Sequence, residues 1–242
     1  MVRREKLRAL ILSRRSVGEA DRLVTMLTRN YGLLRVLAKG VRKIPSRRGG
    51  HMESLTQAVV LISVSAGRYF LQAVETENYF KALHDDHEAL VRVQRLSKAL
   101  VCIFEEEVAY ANLYDALLQA CAVLPEVSYA KRSLMETAIA LLVLREGGIM
   151  PLLGRCQCCG RRRPEEAVVL DAEQGGWTCL SCVSSMAKAR ASLTPRMLAV
   201  LRYLAVHPDK ALRLSVSEEE ARQLLGAVWL YVSTLAMREM AT

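Results

Sequence analysis

Aromatic side chains are scarce in this 242-residue chain, at 5%, and long apolar runs are missing. Stretches such as Ala138 to Leu144 and Val59 to Ile62 fall far short of the roughly 18 residues a bilayer span needs, so no membrane helix is expected. There is no glycine-rich phosphate loop followed by Lys and Ser or Thr, which argues against nucleotide hydrolysis of the P-loop type. Met1 to Arg15 sets a short apolar stretch between charged residues without a small-residue cleavage site, so the expected compartment is the cytoplasm. The seven cysteines are an odd number and argue against a disulfide framework.

What is present is a globular composition with a divided charge. Hydrophobic residues make up 52% of the chain, well above the range of disorder. The net charge is +9, yet residues 1–50 alone hold fourteen Lys or Arg against three acids, a net of +11. The remaining 192 residues hold twenty basic and twenty-two acidic groups. Charge so placed points to a polyanion-binding module joined to a near-neutral remainder.

Apolar alternation cut by turn residues predicts five strands: Leu7 to Ser13, Asp21 to Thr28, Leu33 to Ala38, Leu55 to Val64 and Tyr69 to Thr76. Five strands in so short a segment suit a small partly closed barrel such as an OB-fold. From Asn78 the apolar spacing becomes helical. Helices are predicted over His84 to Val108, Ala109 to Val123 and Tyr129 to Glu146, the last with Ser128 as N-cap. Thr194-Pro195 opens another helix, and Ser217 with Glu220 forms a capping box for a final one. The expected architecture is α+β and multidomain: an OB-fold barrel over 1–80, helices over 81–150 and 191–242, and an inserted zinc ribbon over 151–190.

The ribbon rests on Cys156-x-x-Cys159 and Cys179-x-x-Cys182, separated by nineteen residues. Paired thiolates at this spacing form two knuckles that close a tetrahedral Zn2+ site, and four thiolates leave no coordination position for water. One structural zinc is therefore expected. Cys158 competes on paper, but a two-residue gap lets Cys156 and Cys159 reach one ion together. Val168 to Leu170 and Trp177 are the expected ribbon strands.

Lys39, Arg42, Lys43, Arg47 and Arg48 lie within ten residues among Gly40, Gly49 and Gly50. Such a loop on a barrel rim suits a phosphate backbone, bound without reading sequence. Tyr31, Tyr69 and Phe70 are the candidates for base stacking, Phe70 being the one expected in the core. The segments Val17-Gly18-Glu19-Ala20-Asp21-Arg22-Leu23-Val24-Thr25, Leu27-Thr28-Arg29 through Gly32, and Ala38-Lys39-Gly40-Val41-Arg42 resemble the amino-terminal domain of the RecO family of bacterial recombination mediators. Ala73-Val74-Glu75, Pro151-Leu152 and Gly175-Gly176-Trp177-Thr178-Cys179 continue the resemblance in order along nearly the whole chain. It implies a nucleoid-associated protein without enzymatic turnover that binds single- and double-stranded DNA and anneals complementary strands. It also implies cooperation with RecR, sometimes RecF, in loading RecA onto DNA coated by single-strand-binding protein. The acidic tail of that protein is expected in a hydrophobic pocket with basic groups in the helical region, for which Lys131 and Arg132 are candidates.

His51-Met52-Glu53 has the His-x-Glu form of a nucleobase deaminase, but neither cysteine pair is directly preceded by proline and four cysteines already saturate the metal. Ser128-x-x-Lys131 imitates a serine–lysine nucleophile, where the cap is the better reading. The alternative function is a zinc-ribbon transcription regulator, distinguished by sequence-specific binding.

Overall fold

The computed structural model describes residues 3–41, 52–183 and 191–239. They form two compact units, Met1–Glu126 and Val127–Thr242.

The first unit is built on a closed barrel in the order β1-β2-β3-β5-β4, from β1 (Arg3–Val17), β2 (Asp21–Thr28), β3 (Gly32–Ala38), β4 (Gln57–Ser65) and β5 (Arg68–Asn78). β1 is long enough to serve two neighbours. Its first half, Arg3 to Leu10, pairs with β4, and Ala9 onward pairs with β2. A bulge between Ile11 and Ser13 adds the bend that closure needs. Closure is completed by a short parallel pairing of Val36 with Tyr69 and Leu37 with Phe70, the only parallel contact between these strands. Alternation sends Ala9, Ile11, Val24, Met26, Leu34, Val36, Val60 and Ile62 into a common core, which also takes in Met52. The five predicted strands are all present, with β1 and β5 running beyond their expected ends.

The helix expected over His84 to Val108 is broken. α1 (Lys81–Asp85) stops at Asp86, whose carboxylate accepts from the Ala89 amide and caps α2 (His87–Ile103). An acidic N-cap offers the backbone a better partner than continued helix, so the apolar period carries on through a change of element. Residues 104–110 are not helical and include a turn at Glu107, φ 66°, and α3 (Ala111–Val123) follows. The 104–110 segment straps the barrel: Glu106 bridges Leu33, and the Glu107 amide donates to the Leu33 carbonyl at 3.0 Å.

In the second unit α4 (Tyr129–Glu146) is buried on all sides from Ser133 to Leu144, with the buried Glu136 accepting from Trp229 Nε1 at 2.9 Å and Thr137 Oγ1 donating to Ser133 O at 2.7 Å. Ser128 stands at its N-cap, but its side chain makes no capping bond. Packed on α4 are α5 (Pro195–Val206) and α6 (Glu218–Glu239). The other two caps form as read: Thr194 Oγ1 accepts from Met197 N at 3.2 Å, while Ser217 and Glu220 bond each other reciprocally. A three-stranded sheet, β7-β6-β8, is made from β6 (Val168–Asp171), β7 (Gly176–Cys179) and β8 (Ala191–Leu193). β6 and β8 both pack against α6. Among the described residues no helix is long and apolar enough to cross a membrane.

Candidate metal centre and nucleic-acid interface

The four predicted cysteines converge. The sulfurs of Cys156, Cys159, Cys179 and Cys182 all lie within 4.8 Å of one another, and those of Cys159 and Cys179 are 3.8 Å apart. A tetrahedral ion with Zn–S bonds of about 2.3 Å spaces its sulfurs at about 3.8 Å, so the donor set fits. The first knuckle is shaped by Cys156 N donating to Arg161 O and Gly160 N donating to Cys156 O. The second enters from β7, whose Cys179 amide donates to the Cys156 sulfur at 3.4 Å. Burial works against ionising Cys156, but amides from Cys159, Cys179 and Cys158, with the Cys159 thiol, outweigh it and pull that thiol down to about 6. Burial and the side chains of Cys156 and Cys159 push Cys179 up to about 11. Cys182, which is only partly buried, is pushed up to about 12, first by its hydrogen bond to Cys159 and then by desolvation. Four such thiols cannot all ionise side by side without a cation among them. Cys158 is exposed and stands outside the converging set.

Residues remote from the Cys156–Cys159 pair in sequence hold the first knuckle. Trp177, fully buried, donates from Nε1 to Leu153 O at 2.9 Å. Arg202 on α5 donates to the carbonyls of Leu153 at 2.7 Å and Arg162 at 3.1 Å, with its guanidinium over the Trp177 ring. Nothing in the local sequence around Arg202 marks this role.

Of the five predicted DNA-contacting residues, Lys39 is described. It is exposed at the end of β3, with its ammonium 4.9 Å above the Phe70 ring. Phe70 is therefore half-buried beneath a cation rather than sealed in the core. Arg42, Lys43, Arg47 and Arg48 lie outside the described residues, as does His51. Glu53 holds Arg14 through two hydrogen bonds of 2.6 and 2.5 Å.

Tertiary contacts redistribute the charge that the sequence segregates. Arg8 pairs with Glu77, Arg14 with Glu53, Arg29 with Asp115 and Arg35 with Glu106. Each carboxylate comes from beyond residue 50. Counted by compact unit, Met1–Glu126 carries nineteen basic and fourteen acidic residues, and Val127–Thr242 fifteen and eleven. The excess is thus +5 and +4, almost even. Beside the barrel a cleft of about 440 Å³ is lined by Lys6, Arg8, Arg29, Asn30 and Tyr31. The first three were not singled out from sequence, although strand alternation in β1 puts Lys6 and Arg8 on its outer face.

Two family models match in order: Recombination protein O N terminal over residues 1–80, and Recombination protein O C terminal over residues 84–238. The chain belongs to the RecO family. Its RecO relatives include the DNA repair protein RecO of Roseiflexus sp. (strain RS-1), 28% identical over 237 residues that cover 96% of this chain and 82% of the relative. That of Caldanaerobacter subterraneus subsp. tengcongensis is 25% identical over 91% of this chain and 89% of its own length. That of Heliobacterium modesticaldum is 33% identical over 81% and 71%. The chain is thereby placed among DNA repair and recombination proteins.

The basic residues considered for the RecO helical region are engaged. Lys131 Nζ donates to the carbonyls of Leu212 and Leu214, both at 2.6 Å, and Arg132 Nε donates to Val127 O at 3.0 Å. A different basic group stands at a cavity: Lys98 on α2, exposed beside about 350 Å³ lined by Leu12, Val101, Cys102 and Ser97. The Ser97 hydroxyl is buried there without a hydrogen-bond partner among the described residues.

Proposed function

We propose that this RecO-family chain is a non-enzymatic DNA-binding recombination mediator, held together in part by one structural zinc. It binds single- and double-stranded DNA, anneals complementary strands, and helps RecR, with or without RecF, load RecA onto DNA coated by single-strand-binding protein. The observation that carries the reading is the match of both RecO models in order on a chain whose first unit is an OB-like barrel. We take 1–80 as the nucleic-acid module, 81–150 and 191–242 as helical domain and 151–190 as ribbon, in a cytoplasmic, nucleoid-associated protein.

The zinc is assigned to Cys156, Cys159, Cys179 and Cys182. When bound, it cross-links the two knuckles and, being saturated by thiolates, supplies no open site for catalysis.

DNA contact is assigned to Lys39, Arg42, Lys43, Arg47 and Arg48, with Lys6 at the cleft beside the barrel adding to the positive surface, where Arg8 and Arg29 are paired with Glu77 and Asp115. Neutralising phosphates on two strands lowers their repulsion, and few stacking aromatics leave the bases free to pair. Reversing the charge of Lys39, Arg42 and Lys43 together should weaken binding to every sequence alike. It should also reduce the slope of log affinity against log salt by about 2 for single strands, at roughly 0.7 per contact. Unchanged affinity in moderate salt would remove this loop as the DNA site. The function as a whole is tested by strand annealing with and without single-strand-binding protein on the DNA.

The α2 cavity supports a home for the acidic tail of that protein, because it combines apolar walls with one exposed cation. Lys98→Glu should weaken binding of a fluorescent tail peptide at least tenfold. A titration indifferent to that change would exclude the cavity.

A further inference from the structure

Arg202 is a cation without an anion. It stands half-buried on α5, and among the described residues no carboxylate pairs with it. Its guanidinium donates only to backbone carbonyls: Nε to Leu153 O at 2.7 Å, Nη2 to Arg162 O at 3.1 Å and, more loosely, to Gly154 O at 3.5 Å. Desolvation pulls its pKa down from the ordinary value, as happens to a charge taken from water with no countercharge. By chain position these contacts fall on the flanks of three of the four converging cysteines. Leu153 and Gly154 lead into Cys156, and Arg162 follows Cys159. Trp177, with its ring centre 5.8 Å from Arg202 Cζ, leads into Cys179. The Leu153 carbonyl accepts from the Trp177 indole as well, at 2.9 Å. One side chain, forty residues from Arg162, thus gathers three ligand-bearing segments. A planar fork is suited to this: Nε and Nη2 reach carbonyls on opposite flanks of the knuckle while the face takes the indole.

Granted the zinc assigned to the four cysteines, we infer that Arg202 is the positioning residue of that centre and its countercharge. A dication held by four thiolates is a net anion, and the burial of an otherwise unpaired guanidinium is offset by it. The guanidinium in turn fixes the chain on both sides of the Cys156–Cys159 pair. A ligand set gathered in advance has less ordering to lose when the metal enters, so the effect falls on how tightly metal is kept. The other cations of this knuckle, Arg155, Arg161, Arg162 and Arg163, are exposed, where water and salt screen them. They do not substitute for Arg202.

The test mixes the zinc-loaded full chain with excess 4-(2-pyridylazo)resorcinol and reads the rate of zinc transfer. Arg202→Gln should release zinc about 10- to 100-fold faster, the usual cost of losing a partner that orients metal ligands. Arg202→Lys keeps the charge and loses the fork, so its rate should fall between. Arg196→Gln, elsewhere on α5 and paired with Glu220 at 3.4 Å, should match the unaltered chain. With cobalt in place of zinc, the thiolate-to-metal absorption should move to the red in Arg202→Gln and stay in place in Arg202→Lys, because only the first removes a cation. The unaltered chain supplies a reading that needs no variant to fold: in its zinc-loaded form the Arg202 Nε–H should exchange slowly with water. Release from Arg202→Gln at the unaltered rate, an unmoved cobalt band in that variant, or an Nε–H exchanging like that of an exposed arginine would each remove Arg202 from a centre that still stands. An unaltered chain that takes up neither zinc nor cobalt would remove the centre itself, and this role with it.

Discussion

Chelating the proposed zinc at neutral pH should melt the ribbon, and the helices packed on it, before the barrel loses a strand. The magnitude decides this outcome. A structural zinc contributes on the order of 10 kcal/mol to folding in isolated zinc-binding peptides, comparable with the whole stability of a typical domain, about 5 to 15 kcal/mol. The sheet β7-β6-β8 is too small to stand without it. Its first knuckle is held by one indole, one guanidinium and a few backbone bonds, and Cys179 enters that knuckle directly from β7. Both tryptophans, Trp177 and Trp229, belong to the second unit, so tryptophan fluorescence follows that unit alone. On chelation it should shift to the red, and trypsin should cut at Arg155 and Arg161. The β signal of the barrel and its binding to single-stranded DNA should persist. One zinc per chain should be recovered by elemental analysis. If chelation abolished DNA binding and left the second unit folded, the division of labour between ribbon and barrel would be wrong.

Gly32→Ala should be the most damaging single methyl in the barrel. Gly32 has φ +64°, and an added Cβ would lie 1.7 Å from the Val108 carbonyl oxygen. Neither side can yield cheaply. Gly32 opens β3, and Val108 belongs to the strap held by the Leu33–Glu107 backbone bond and the Arg35–Glu106 pair. The left-handed conformation alone costs about 1 to 2 kcal/mol for a residue with a Cβ. Displacing the strap forfeits at least one backbone bond worth about 1 kcal/mol. A total loss of about 3 kcal/mol in urea unfolding of the barrel is expected on these terms. Gly67→Ala is the control. Gly67 shares the positive φ, +69°, but has no described atom within 4 Å of its would-be Cβ, so only the conformational part should appear. Equal losses at the two positions would show that the strap does not press on Gly32.

The cysteine centre was legible because its geometry is local. A two-residue gap brings each pair of sulfurs together within one turn, and only the meeting of two such turns had to be supplied by the fold. Strands were legible through alternation, and the caps at Thr194 and at Ser217 with Glu220 because each is complete within four residues. Where a reading failed, a non-local or competing interaction had intervened. Asp86 interrupts a continuous apolar period because its carboxylate caps the next helix. Phe70, apolar on an apolar strand, takes Lys39 over its face. Lys131 is drawn to carbonyls some eighty residues away.

By itself, then, the sequence determined the strand set, the four cysteines that converge and the order of family motifs from one end to the other. These depend on spacing within a few residues, which covalent geometry converts directly into position. Tertiary structure alone decided where the charge lies. Glu53, Glu77, Glu106 and Asp115 reach back to pair with four of the arginines in the first fifth of the chain. The same folding brings Glu5 and Glu107 into the lining of one cavity. Coulomb energy depends on distance through space, and barrel closure and the 104–110 strap bring together groups up to about a hundred residues apart along the chain.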